Sequence, residues 1–321
     1  MFQQMGYVCI NILSKMVRTG VIGTTQKLLD TIKNISLIPE YNLTGSYSLA
    51  PISDNYKIRN PLLKAFDEPE DLISNSDIII ISDHPGNCED LIQSILKKSK
   101  HVLIFPDTSL TSFQLEKFVK LADEAGVFLF LYHEDLKNRI PKLIKNNFGK
   151  PEFIDIYRYL DLNDTDNIVE IFYEEIFLVM KLNPVNPRKH FTTSIPYYSN
   201  DPHLLNARIE FENGTSANIT INKFEGKNKS RIDIFRQNSM ASVHPETGAI
   251  KIIRKNPQKA EILANSDIQK INSQKEGLLI FLTYLLSGNY SSDNCENGIS
   301  AHRIASEIIL QLIPYAENTY F

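Results

Sequence analysis

Tryptophan is absent from the 321 residues, so an intrinsic optical signal for ligand binding would rest on the 14 tyrosines. No apolar run approaches the roughly 20 residues that a membrane-crossing helix needs. Cysteine is scarce. Cys9, Cys88 and Cys295 lie far apart, with no C-x-x-C or Cys/His spacing that could hold a metal, and an odd, sparse set suits a reducing cytosol. Charge of one sign is also lacking. The 34 basic and 38 acidic residues leave a net charge of −4, which supplies no electrostatic footprint for nucleic acid. No H-E-x-x-H, G-x-S-x-G or P-loop is present, so zinc-hydrolase, serine-hydrolase and NTPase readings have no support. What remains is an ordinary globular composition, 42% hydrophobic and 22% charged, in a chain long enough for two domains.

At the N-terminus, the apolar stretch Tyr7–Leu13 is short, has no basic residue before it and no small-residue cleavage site. The expectation is an extension over 1–15, or a working start at Met16. From Arg18 to His133, β-like runs alternate with helical stretches. Val17–Ile22 and Asn42–Tyr47 read as strands. Asp77–Ser82 (DIIIIS) is an unbroken apolar run of the kind found in a parallel strand buried on both faces. Glu89–Lys98 and Ser112–Ala125 carry helical apolar spacing, the latter with Phe113, Phe118, Leu121 and Ala122 as expected core residues and Gly126 as its end. His101–Phe105 and Val127–Tyr132 supply further strands. This alternation predicts a doubly wound, Rossmann-type parallel sheet over 16–135.

The pattern then changes. Pro151–Leu160 is extended and Asp164–Leu182 helical. In Ala207–Ile221, Ala207, Ile209 and Phe211 alternate with polar residues, Asn213-Gly214 supplies a turn with positive φ, and Ala217, Ile219 and Ile221 alternate on the return. More strands are expected at Ser230–Arg236, Met240–His244 and Ile250–Arg254, and helices at Lys275–Leu286 and Ser300–Ala316. Residues 136–321 therefore read as an α+β domain with an open-faced, mainly antiparallel sheet. The fold class is α/β followed by α+β.

In a parallel sheet of this kind, the first strand-to-helix turn is the place for a dinucleotide pyrophosphate. The turn here runs from Gly20 to Leu28. Gly23 stands at the first glycine position of the G-x-G-x-x-G fingerprint, while Thr25 and Leu28 occupy the second and third. A side chain at 25 narrows the space for pyrophosphate, and Leu28 is bulky where helix and strand meet. The acidic residue that would bind a ribose diol is missing at the end of the second strand. Ser48 stands there and offers a neutral hydrogen bond.

The segment KHVLIFPDTSLTSFQLEKFVKLADEAGV, Lys100 to Val127, resembles the strand–motif–helix segment of the Gfo/Idh/MocA family of NAD(P)-dependent oxidoreductases. TGVIGTT resembles the family's first turn, DIIIISDHPGN its cofactor loop, NRIPKLIKNNFGKPEFIDIYR its passage into the second domain, and ARIEFENGTSANIT its sheet. The resemblance implies an NAD or NADP cofactor contacted by Gly23, Thr24, Thr25, Ser48, Ser82, His84 and Pro85. It also implies a sugar-like small substrate. The Lys of the family's Glu-Lys-Pro, which contacts substrate and nicotinamide, is matched by Pro106 in Phe105-Pro106-Asp107. Proline brings neither an ionisable group nor a backbone donor. The family's helical Asp-x-x-x-His is matched by Glu170-Ile171-Phe172-Tyr173-Glu174, with Glu174 in place of the His. The i, i+4 spacing puts Glu170 and Glu174 on one helix face, next to a third acid, Glu175. An exposed Glu titrates near 4.3 and is poorly matched to base catalysis at neutral pH.

Two readings follow. In the first, the chain is a Gfo/Idh/MocA-like protein with degraded or absent catalysis, a possible pseudoenzyme. In the second, it is an active oxidoreductase in which Glu174 or His84 replaces the missing acid/base, with Glu170 as its acidic neighbour. The plain alternative for the three glutamates is a solvated helix face. No membrane or nucleic-acid partner is expected. The outward-facing Arg208, Glu210, Glu212, Ser216, Asn218 and Thr220 lie on a sheet face through which family members associate, so a homodimer or larger oligomer is expected, in the cytoplasm.

Overall fold

The computed structural model describes residues 16–49, 64–83, 88–105, 110–132, 136–161, 168–196, 202–224, 228–245, 249–254, 261–263, 273–288, 290 and 293–317. The chain divides into two compact units. The first comprises residues 1–133 and 272–296. The second comprises 134–271 and 297–321.

The first unit is built on five parallel strands: β1 (Val17–Gly23), β2 (Tyr41–Ser48), β3 (Ile78–Ile81), β4 (His101–Ile104) and β5 (Leu129–Leu131), in the order β2-β1-β3-β4-β5. Helices α1 (Thr25–Ser36), α2 (Pro69–Asn75), α3 (Glu89–Lys97) and α4 (Ser112–Ala125) connect them. All four isoleucines of β3 are fully buried, as a strand covered on both faces requires. At the start of α4 the Thr111 hydroxyl accepts from the Gln114 N–H, and the Gln114 side chain accepts from the Thr111 N–H, a reciprocal capping box. Gly126 ends the helix at φ 65°, the left-handed conformation that glycine adopts without a Cβ penalty. The inward face of α4 is Leu115, Phe118 and Ala122. Phe113, expected in the core, is 74% exposed, because two residues before Leu115 lies on the far side of the helix.

A second correction concerns the boundary at 135/136. The helix α7 (Ser273–Ser287), placed by its sequence position in the 136–321 domain, belongs to the first unit. Leu278, Phe281, Leu282 and Leu285 join Val21, Leu28 and Phe130 in one core. Phe281 stacks on Phe128 with ring centroids 5.5 Å apart. The Tyr41 hydroxyl donates to the Leu278 carbonyl at 2.6 Å, and burial pushes its pKa far up. Gly277 meets the ring of Tyr132 so closely that a Cβ there would overlap it.

The second unit holds an eight-stranded sheet in the order β13-β12-β11-β10-β6-β9-β8-β7. Its strands are β6 (Phe153–Tyr159), β7 (Pro187–Pro196), β8 (Pro202–Phe211), β9 (Ser216–Asn222), β10 (Lys229–Arg236), β11 (Ser239–His244), β12 (Ala249–Arg254) and β13 (Glu261–Leu263). Among the described residues of this sheet, only β6 and β9 pair in parallel. The β8–β9 hairpin closes as expected, but φ is positive at Gly214 alone. Phe211 N–H bonds the Thr215 carbonyl and Gly214 N–H the Phe211 carbonyl, so a three-residue loop ending in a left-handed glycine replaces a two-residue turn. One sheet face, including Ile156, Ile209, Ile219 and Ile234, packs with α5 (Leu136–Asn147), α6 (Ile168–Leu182) and the later part of α8 (Asp293–Glu317) in a single core. Among the described residues, no helix is long and apolar enough to cross a membrane.

Candidate functional site

The C-terminal edge of the parallel sheet brings together the ends of β1, β2 and β3. In register, Gly23 lies opposite Ser48 and Ile22 opposite Ile81, which sets residues 82 and 83 beside the start of α1. Thr24 is the N-cap of α1, with extended backbone (φ −82°, ψ 162°), and its carbonyl accepts from the Leu28 N–H at 2.9 Å. Its own side chain does not cap the helix. The donors of Thr24 go elsewhere. Its N–H donates to Oδ1 of Asp83 at 2.5 Å and its hydroxyl donates to Oδ2. The Ser82 hydroxyl lies 3.2 Å from both Asp83 Oδ1 and the Ile22 carbonyl. A Cβ on Gly23 would collide with the Ser82 hydroxyl and the Asp83 carboxylate. Asp83 is only 9% exposed.

Gly23, Thr24, Ser48 and Ser82, expected around a dinucleotide, are therefore gathered at one sheet edge. Ser48 is half-buried there. Leu28 does not stand out as an obstruction. It is fully buried with Val21 and Ile32 and packs α1 onto the sheet. The Thr25 side chain, His84, Pro85 and Pro106 lie outside the described residues. Asp83 was not singled out from sequence. The signal that finds it is the strand order: β3 neighbours β1, so the residue two past the end of the isoleucine run meets the first turn.

That geometry tests the nicotinamide dinucleotide implied by the resemblance. A pyrophosphate at this turn would need the free N–H groups and positive dipole end at the start of α1. Here Thr24, the first residue able to donate, is already bound to a carboxylate, and that carboxylate stands against Gly23. In this conformation the donors of Thr24 and the space beside Gly23 are taken and are not open to a pyrophosphate.

The expected acid/base helix, α6, lies in the second unit. Glu174 is half-buried on it, and the Glu170 side chain falls outside the described residues. The neighbours of Glu174 are both buried. Tyr173 packs on His302 with ring centroids 3.9 Å apart. Glu175 is fully buried and accepts from Arg158 Nε at 2.6 Å. One residue is about 100° around a helix, so Glu175 is turned away from Glu174 and held by a guanidinium from β6. Glu175 thus takes no part in a solvated acidic face.

Other expected roles can be placed. His101 is half-buried, and its Nδ1 accepts from the Phe128 N–H at 2.9 Å, a structural role. Burial lowers its pKa, against the opposing charge of Asp77. On the outer face of the eight-stranded sheet, Asn206 donates to Asn218 Oδ1 (3.0 Å) and Thr220 Oγ1 (2.8 Å), and Asn218 donates to Asp155 (3.0 Å). Arg231 lies 2.9 Å from Asp233 and 4.8 Å over the Tyr157 ring. No cluster of three or more His, Cys, Asp or Glu residues that could hold a metal exists among the described residues.

No protein-family model matches the chain, and no curated protein matches it by sequence. Solved structures do. The UDP-N-acetylglucosamine 3-dehydrogenase GnnA from Acidithiobacillus ferrooxidans superposes with a TM-score of 0.81 at 17% identity, covering 92% of this chain and 97% of that one. The dehydrogenase MviM from Clostridium difficile gives 0.79 at 16%, covering 92% and 100%. Biliverdin reductase from Synechocystis, solved with biliverdin and NADP+, gives 0.75 at 15%, covering 92% and 99%. The fold is that of the Gfo/Idh/MocA-type oxidoreductases, over nearly the whole chain.

Proposed function

We propose that this chain uses the two-domain oxidoreductase scaffold with its hydride-transfer chemistry degraded or lost. The observation that carries the reading is on α6. The expected imidazole position holds Glu174, and the adjacent carboxylate, Glu175, is buried and paired with Arg158 instead of joining it. Pro106 removes the second proton-handling group. Acid–base assistance is worth about 10²–10⁴ in rate, so the loss of both groups leaves little turnover by the family's route.

The matching ligand class is a small polar, sugar-like molecule, consistent with the nucleotide-sugar dehydrogenase among the similar structures. The cofactor, if taken up, is NAD or NADP, bound weakly through Gly23, Thr24, Thr25, Ser48, Ser82 and the His84-Pro85 loop. The test is calorimetric titration with NADH and NADPH, followed by turnover assays on a panel of sugars and nucleotide sugars. A dissociation constant above about 100 μM, or less than roughly 5.5 kcal/mol of binding free energy, is expected. Micromolar binding together with turnover that Glu174→Ala abolishes would install Glu174 as the base and overturn the reading.

Self-association through the outer face of the eight-stranded sheet belongs to the same proposal. Polar ladders there leave Arg208 and Glu212 exposed, and the edge strand β7 presents Phe191 and Ile195, each about half exposed. Sedimentation at micromolar concentration should show a dimer or larger species, and a monomer alone would refute it. Cys88 and Cys295 are buried thiols, which suits a reducing, cytoplasmic setting.

A further inference from the structure

The end of a helix that carries free N–H groups attracts an anion. At α1 an anion is already present, and it comes from the chain itself. We propose that Asp83 is a built-in occupant of the phosphate-binding turn, so that the cleft in this conformation rejects pyrophosphate-bearing ligands by charge and by occupied donors. The proposal rests on reading the β1–α1 turn as the cleft's phosphate site, as under Proposed function.

Three observations converge. Both donors of Thr24, its N–H and its hydroxyl, are spent on the two carboxylate oxygens of Asp83. The space beside the Gly23 α-carbon, where the chain carries no side chain of its own, is filled by the Ser82 hydroxyl and Asp83. Asp83 is largely withdrawn from water, and none of the ion pairs among the described residues involves it. Among the described residues, its charge is balanced by neutral donors and the helix end. A second anion brought to that end would meet an unneutralised carboxylate at short range, where solvent and salt screen little. Binding of a dinucleotide then requires Asp83 to leave, and removing the carboxylate removes that requirement.

The experiment follows the Thr24 amide by ¹⁵N-resolved NMR during titration with inorganic pyrophosphate, in the full chain and in Asp83→Asn and Asp83→Ser. NADH is titrated in parallel by calorimetry. Asp83→Asn keeps an acceptor oxygen and nearly the same shape, which guards against simple misfolding. In the unaltered chain, pyrophosphate should leave Thr24 unmoved. In Asp83→Ser the amide should shift saturably with at least tenfold tighter affinity, and Asp83→Asn should fall between. A saturable micromolar response of Thr24 in the unaltered chain would overturn the assignment, as would no gain in either variant. If pyrophosphate affinity rises in Asp83→Ser while NADH affinity does not, the assignment of Asp83 stands and the dinucleotide reading of the cleft falls. If both rise, both stand.

Discussion

Asp83 in the first unit and Glu175 in the second are both buried carboxylates, and they are balanced in different ways. Glu175 in the second unit faces a full positive charge, Arg158 Nε at 2.6 Å. Asp83 in the first unit is met by an N–H and two hydroxyls at a helix terminus. A guanidinium supplied by a core strand makes a lock, because losing Arg158 leaves the fully buried Glu175 charge without that guanidinium. Neutral donors at a helix end make a seat that another anion could take. The same residue chemistry thus fixes structure in one unit and governs access in the other.

The sharpest way to break this contrast is Arg158→Ala. It leaves Glu175 charged and buried, and should cost about 3 kcal/mol of stability, read as a lower urea midpoint. Replacing both partners, Arg158→Met with Glu175→Leu, should recover most of that loss. If the double variant is no better than the single one, the pair is not the lock described. Asp83→Ala should cost less, about 1–2 kcal/mol, since it orphans the Thr24 donors near the surface, where water can partly replace the carboxylate. Thr111→Ala removes the hydroxyl that caps α4 and should cost about 1 kcal/mol without any effect on anion binding. A change in pyrophosphate affinity on Thr111→Ala would blur the distinction between a cap and a seat.

The smallest effect is set by pH. Burial lowers the pKa of His101 below its ordinary 6.5, so the unfolded chain takes up the proton first as pH falls. The stability linked to this group is complete above about 6.5 and is lost as pH drops through the lower folded value. The thermal midpoint should therefore fall between about pH 7.5 and 5.5, and fall less in His101→Gln, which can still accept from the Phe128 N–H but does not titrate. An equal fall in both would remove His101 from the account.

Much of the fold was legible because local pattern and burial agree. The isoleucine run of β3 predicted a strand covered on both faces, and the alternation of Ala207, Ile209, Phe211, Ala217, Ile219 and Ile221 predicted a hairpin with one buried face; all six are buried. Spacing failed where a residue at the margin of a periodic segment was counted with its stripe, as with Phe113. It also could not show which sheet a late helix packs against. The apolar residues of α7 are as hydrophobic as those of α6, and only three-dimensional contact assigns them to the first unit. At the site, Gly23, Thr24, Ser48 and Ser82 were legible because the first turn of a parallel sheet has a fixed place. Asp83 was not, since its role depends on β3 lying beside β1, a matter of strand order rather than of motif.

The return of α7 has a consequence for how the chain comes to be folded. A ribosome that has released residue 133 has made all five parallel strands, yet Phe128, Phe130 and Tyr132 still lack Leu278, Phe281 and Leu285, which complete their core. At about 5–20 residues per second, the missing helix follows only after roughly seven to thirty seconds of further synthesis. During that interval an aromatic surface stays uncovered on a sheet that is otherwise formed. A fragment ending at residue 133 keeps that surface permanently, and should bind chaperones or aggregate where the whole chain does not.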